Sequence, residues 1–239
     1  ADICQCVPSD FDVQSIDNKS FWLQSQRSVA YDEVSHALID AGLAYACVCT
    51  RKDIERALRA PHAEDKSAAY PGTCRNRFSD LADANRWEGA RASRLGRRPI
   101  GAALRLRAPS DDLVFEDDIA GHQTANVARD NGDFVILRKD GLSAYMFAVV
   151  LDDIAMGVTE VVRGDDLLDC TGQQLAVANA IAEHAPTPTL RAAAARNRPR
   201  LKHVPLVYGD DGRRLAKRNQ SLHLRNLQRD GVPAEKVLA

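Results

Sequence analysis

The chain has 239 residues, 45% hydrophobic and 27% charged, with 32 Lys and Arg against 33 Asp and Glu. That balance excludes a disordered chain and gives enough apolar mass for one large domain or two small ones. No apolar run approaches the roughly 20 residues of a membrane span, the opening ADICQCVPSD lacks a basic-then-apolar leader, and six cysteines are too sparse for a disulfide scaffold. A reducing, cytoplasmic setting is expected.

Near-neutrality hides an uneven distribution. Asp2, Asp10, Asp12, Asp17, Asp32, Glu33 and Asp40 make the first forty residues acidic, against Lys19 and Arg27. From Arg191 to Arg218 the sign reverses, with Arg196, Arg198, Arg200, Lys202, Arg213, Arg214 and Lys217 in between. Such a cluster suits phosphate.

In chain order, a helix is expected from Ser28 to Ala41, with Tyr31, Val34, Ala37 and Leu38 on one face and Gly42 as its stop. Phe134–Leu137 reads as a short strand ended by Asp140-Gly141. The apolar run Ala144–Leu151 fits either a buried strand or a short buried helix. Val158–Val162 reads as a strand, Thr171 as the N-cap of a helix to about His184, and Val204–Tyr208 as a strand before the turn Gly209-Asp210-Asp211-Gly212. Alternating strands and helices predict an α/β core.

Two constellations carry chemistry. Cys47 and Cys49, one residue apart, with the distant Cys74 can share one ion, and soft thiolates favour zinc. A fourth ligand is needed. Spacing offers His62 first, and Tyr70 would be an unusual phenolate. Cys4 and Cys6 repeat the spacing without evident partners, and Cys170 reads as packing. The second constellation is the run Arg213-Arg214-Leu215-Ala216-Lys217-Arg218, four cations after a tight turn, able to fold over a polyphosphate. No GxxxxGK[ST] or GxGxxG motif occurs.

In combination these motifs resemble a family. Tyr-Pro-Gly-Thr-Cys-Arg at 70–75, the Cys47-Val48-Cys49 pair, Ala144-Tyr145 running into Leu151-Asp152-Asp153, and Gly157-Val158-Thr159-Glu160-Val161-Val162-Arg163-Gly164-Asp165-Asp166-Leu167-Leu168 are similar to class I glutamyl-tRNA synthetases. The similarity runs from about Trp22 to Asn219. It is closest to a short branch that has no anticodon-binding domain and acts on the queuosine of tRNA(Asp); only twenty residues follow Asn219 here. The resemblance implies a Rossmann-like, mainly parallel sheet carrying a zinc-bearing insertion, and a ligase acting as a monomer on glutamate, ATP (with Mg2+) and tRNA(Asp) bearing queuosine. It implies zinc ligation by Cys47, Cys49, Tyr70 and Cys74, in place of His62. It implies glutamate binding by Tyr145 and Arg163, and ATP binding by Arg214, Lys217 and Arg218, with Lys217 as the catalytic lysine of a KMSKS-type loop. From the residues alone, Tyr145 reads as a core aromatic and Arg163 as a salt-bridge partner of Asp165 or Asp166.

The chain departs from the family in two places. Arg214 and Ala216 stand where the loop usually has Lys and Ser. No HIGH-like motif precedes Trp22, and the chain starts at Ala1, so the first strand and half of an ATP site are expected to be missing or divergent. The expected divisions are 1–42 for the incomplete start of the core, 43–75 for the insertion, 76–203 for the remaining core, and 204–239 for the lysine loop and tail. A fragment of a glutamyl-tRNA synthetase charging the tRNA 3′ end, a non-catalytic tRNA-binding paralogue and a generic zinc-stabilised binding module are the alternatives.

Overall fold

The computed structural model describes residues 23–58, 69–94, 101–208, 224–233 and 236. After a 3-10 turn at Gln24–Gln26, α1 (Ser28–Asp40) buries Ala30, Tyr31, Val34, Ser35 and Leu38. Ser35 rather than Ala37 completes that face. The helix stops at Gly42 (φ +73), where Leu43 N–H bonds Leu38 C=O at 2.9 Å and Gly42 N–H bonds Ile39 C=O at 2.8 Å. Both bonds satisfy carbonyls that the helix end would otherwise leave bare.

The next elements are β1 (Ala44–Cys47), α2 (Arg51–Leu58), α3 (Leu81–Arg94), β2 (Ala103–Leu106), β3 (Leu113–Asp117), β4 (Gly121–Ala125), α4 (Val127–Asp130) and β5 (Phe134–Leu137). Then come α5 (Tyr145–Met156), β6 (Glu160–Gly164), a 3-10 segment at Asp165–Cys170, α6 (Thr171–His184), α7 (Pro188–Arg196), β7 (Arg200–Val204) and α8 (Leu224–Arg229). Among the described residues no helix is long and apolar enough to cross a membrane.

Two sheets result. β1, β2 and β5 form an antiparallel sheet in that order; β4, β3, β7 and β6 form the other. In the second sheet β6 and β7 run parallel over five register pairs, β3 joins β7 in parallel at Asp117 and Leu201, and β4 is antiparallel to β3. The fold is therefore α/β, with its parallel pairing gathered at β6, β7 and β3.

One local reading left open is decided, and two others change. The run Ala144–Leu151 is helical: α5 is twelve residues long, longer than the usual strand, and buries Phe147, Ala148, Val150, Leu151, Ile154 and Ala155. Among the described residues the strand here is Arg200–Val204 rather than Val204–Tyr208. Its alternation of cations with buried Leu201 and His203 reads as a charged stretch in sequence and as a half-buried strand in space. Arg200 and Lys202 are used locally, Arg200 against Asp118 at 2.6 Å and Lys202 against Glu160. Finally, Thr171 is the first residue of α6 rather than its cap, and its hydroxyl is engaged elsewhere.

Candidate functional site

The cysteines stand at the end of β1. Residues two apart on an extended chain face one side, so Cys47 and Cys49 turn both sulfurs together while Val48 goes to the core. Cys74 and Tyr70 come from the loop before α3. The Tyr70 hydroxyl lies 3.4 Å from Cys47 Sγ and 3.5 Å from Cys49 Sγ, and Cys49 Sγ lies 3.5 Å from Cys74 Sγ. All three sulfurs fall within 4.8 Å of one another. Four ligands about 2.3 Å from one tetrahedral ion sit about 3.8 Å apart, so this spacing fits a zinc-sized cation. The Tyr70 hydroxyl is a fourth donor beside the sulfurs; His62 lies outside the described residues.

The electrostatics agree with that fit. Hydrogen bonds from Cys49 and Cys74 draw the Cys47 thiol far down, while Cys49 is pushed up by the sulfurs beside it. Burial, then Cys47 and Cys49, push the Tyr70 phenol up. The phenol oxygen already accepts from Cys74 N–H at 3.0 Å, and the Arg105 guanidinium stacks 3.8 Å from the Tyr70 ring centroid.

Tyr70 is placed by residues that the sequence reading missed. Gly132 (φ +64) forms a bridge with Tyr70, and a Cβ there would meet Tyr70 N at 2.7 Å and Tyr70 O at 2.8 Å. The next residue, Asp133, is fully buried and accepts from Tyr45 Oη at 2.6 Å and from Arg75 through Nε at 2.8 Å and Nη2 at 2.5 Å. Asn131-Gly132 looks like an ordinary turn in sequence; nothing local says that another chain segment crosses it.

The second site lies across the parallel strands. Register pairs Arg163 on β6 with His203 on β7, side by side. Arg163 Nε donates to His203 Nε2 at 2.8 Å, Nη1 to Gln174 Oε1 at 2.6 Å and Nη2 to Thr171 Oγ1 at 2.8 Å. The expected partners Asp165 and Asp166 are not among these acceptors. All three are uncharged, and among the described residues the guanidinium forms no ion pair. Burial draws its pKa down, opposed by the fields of Tyr145, Cys170, Asp153 and Asp117. A half-buried cation held by neutral acceptors is a place for an anion.

Tyr145 opens α5 and is 55% exposed, so it is not the core aromatic its composition suggests. Further along α5, Asp152 of the Asp152-Asp153 pair is structural: it accepts from Arg27 Nε at 2.7 Å, Tyr31 Oη at 2.8 Å and Gln24 Nε2 at 3.1 Å, pinning the segment that begins α1. Asp153 is pushed up to about 6 by burial and then by Asp152, with Arg163 pulling the other way. A cavity of about 340 Å³ is lined by Asp153, Thr171 and Gln174 with Leu113, Val150 and Leu201; neither Tyr145 nor Arg163 lines it. Cys170 is partly buried near Arg163, and burial raises its thiol. Arg214, Lys217 and Arg218, with Cys4 and Cys6, lie outside the described residues.

The fold and these two sites describe an α/β catalytic domain with a cysteine-bearing sheet beside it. Residues 4–239 match the family described as tRNA synthetases class I (E and Q), catalytic domain. The chain belongs to that family. It is 43% identical over 216 residues to a glutamyl-Q tRNA(Asp) synthetase of Nitratidesulfovibrio vulgaris, covering 90% of this chain and 60% of the relative. A protein of the same name from Nocardia farcinica is 44% identical with the same coverage. The chain thus spans about 60% of the length of these relatives. A glutamate-tRNA synthetase structure from Elizabethkingia anophelis shares the fold, with a TM-score of 0.55 at 22% identity over 88% of this chain and 38% of that one.

Proposed function

We propose that the protein activates glutamate with ATP and transfers it to queuosine in the anticodon of tRNA(Asp). The observation that carries the reading is the Arg163 guanidinium, held by three neutral side chains with no carboxylate of its own among the described residues. A planar fork of N–H donors matches a carboxylate in a bidentate manner. In this reading Arg163 and the exposed Tyr145 hold the glutamate. One glutamate carboxylate attacks the α-phosphate of ATP, giving glutamyl-adenylate and releasing pyrophosphate. A hydroxyl of the queuosine cyclopentenediol then attacks the activated carbonyl, and AMP leaves. Lys217, with Arg214 and Arg218, stabilises the charge that develops on the pyrophosphate.

Cys47, Cys49, Tyr70 and Cys74 would hold a zinc ion whose contribution is structural, cross-linking β1 to the loop before α3. In this reading residues 43–75 are the zinc-bearing insertion, whose β1 pairs with β2. The names of the relatives support the choice of tRNA(Asp) over another acceptor.

The test is ATP–pyrophosphate exchange by the full-length gene product with glutamate and no tRNA, followed by transfer of labelled glutamate to tRNA(Asp) with and without queuosine. Exchange without tRNA and labelling only of the queuosine-bearing tRNA are expected. Labelling of the 3′ end of a tRNA would mean a glutamate–tRNA ligase. Absence of exchange would leave a tRNA-binding paralogue.

A further inference from the structure

Two fully buried ionisable side chains stand behind Arg163 with no role in the scheme above. Asp117 and His203 are both 0% exposed in their side chains, and Asp117 Oδ2 lies 2.6 Å from His203 Nδ1. Asp117 Oδ1 also accepts from Ile119 N at 3.0 Å, Ala120 N at 2.7 Å and His203 N at 3.2 Å. Burial by itself would raise this carboxyl, but these donors and the His203 ring outweigh it and hold Asp117 well below the usual carboxylate range. It is a carboxylate, and it can only accept.

Each proton in the chain of contacts is determined by its neighbours. A guanidinium can only donate, so His203 Nε2, facing Arg163 Nε, must accept. The ring proton of a neutral imidazole then sits on Nδ1, where it donates to Asp117. The order runs Arg163 to His203 to Asp117, every donor matched to an acceptor. The imidazole also keeps the Asp117 charge one residue away from the guanidinium. A carboxylate bonded directly to Arg163 would neutralise the cation; a neutral ring orients it and leaves its charge available.

We propose that Asp117 and His203 are positioning residues for the amino-acid substrate. Asp117 fixes the imidazole tautomer, and His203 with Thr171 holds the Nε and Nη2 edge of Arg163. Gln174 steadies Nη1. Of the five guanidinium N–H groups, one on each Nη is then left for a substrate carboxylate. The proposal rests on the reading of Arg163 as the ligand of glutamate.

The test uses the full-length gene product and reads two things: KM for glutamate and for ATP in pyrophosphate exchange, and the 15N signals of the His203 ring. In the wild type, the unprotonated ring nitrogen is expected to be Nε2. Asp117→Asn keeps an oxygen for the three backbone donors but turns an amide NH2 toward Nδ1, so the ring switches tautomer and sets Nε2–H against Arg163. Glutamate KM should rise about tenfold to a hundredfold, the scale of a misplaced binding group, with ATP KM unchanged. His203→Leu should behave alike, and His203→Gln, which can place an acceptor near the Nε2 position, should recover most of the loss. An unprotonated Nδ1 in the wild type, or an unchanged glutamate KM in Asp117→Asn, overturns the proposal. If His203→Leu does not fold, Asp117→Asn and the ring signals still decide. A wild-type protein without exchange overturns the functional reading instead, while the ring signals continue to test the proton order.

Discussion

The two sites are opposites in charge and in construction. At the end of β1, three thiols lie within 4.8 Å of one another with a phenol 3.4 and 3.5 Å from two of them, a donor set suited to a cation. On β6, a guanidinium sits among a histidine, a threonine and a glutamine, a group completed by an anion. The first is assembled mainly from one stretch of about thirty residues. The second draws on β6, β7 and α6, with β3 behind them. The difference teaches how strongly each depends on the rest of the fold: ligands gathered by a short loop would owe their order to a bound ion, whereas a cation gathered across a sheet owes its order to strand register.

The largest effect should come from the cation site. Removing zinc, or replacing Cys74 with Ser, is expected to cost several kcal/mol, less than the about 10–16 kcal/mol of metal-dependent finger peptides because β2 still holds β1. Metal stoichiometry and hydrogen exchange over 44–47 and 70–78 would read it. Tyr70→Phe should lower zinc affinity and His62→Ala should not; the reverse result would move the fourth ligand. Retained order in 70–78 without metal would break the contrast drawn above.

Next in size, Arg163→Ala should raise glutamate KM at least a hundredfold, about 3 kcal/mol, as expected for a desolvated charge-assisted pair. Zinc content should stay unchanged, since distant sites act additively. Loss of zinc in this variant would show the two sites to be one.

Gly132→Ala sharpens the comparison by perturbing the cation site from outside its own loop. A left-handed φ and a Cβ 2.7 Å from Tyr70 N together predict a loss of roughly 2 kcal/mol in urea unfolding and weaker zinc retention. Unchanged zinc affinity would mean that the loop alone positions Tyr70.

The smallest effect concerns Asp153, whose carboxyl is pushed up to about 6 from an unfolded value near 3.9. The folded state holds this proton more tightly, so stability falls as pH rises from about 4 to 6 and the deficit persists above that range. Asp153→Asn should therefore stabilise the protein at pH 7 by roughly 1 kcal/mol, discounted for partial exposure, and give no gain below pH 4. Urea unfolding at pH 4 and pH 7 separates the two conditions.

Much of the first site was legible. Cys47, Cys49 and Cys74 announce themselves by residue type and spacing, and period two along a strand explains why both members of the pair turn the same way. Tyr70 entered only through family resemblance, since spacing offered His62 first and a phenolate is an unusual ligand. Gly132, which admits the Tyr70 backbone, gave no local signal because the segment it accommodates is more than sixty positions away in sequence. At the second site Arg163 was singled out only by the family resemblance, and from the residues alone the neighbouring acidic residues pointed to the wrong partners. Its actual partners, Thr171, Gln174 and His203, come from α6 and β7.

Composition and local pattern were enough to determine that the chain is an α/β protein, where α1 begins and ends, and which cysteines could share an ion. Those properties depend on residue type and on periodicities of two or 3.6, which act over a few positions. Whether Ala144–Leu151 is helix or strand, whether Arg200–Val204 is a charged face or a half-buried strand, and which way the Asp117–His203–Arg163 protons run were decided by the tertiary structure. Each depends on which groups face one another across the two sheets, and burial makes those pairings binding: a polar atom removed from water must find the partner that the packed neighbour supplies.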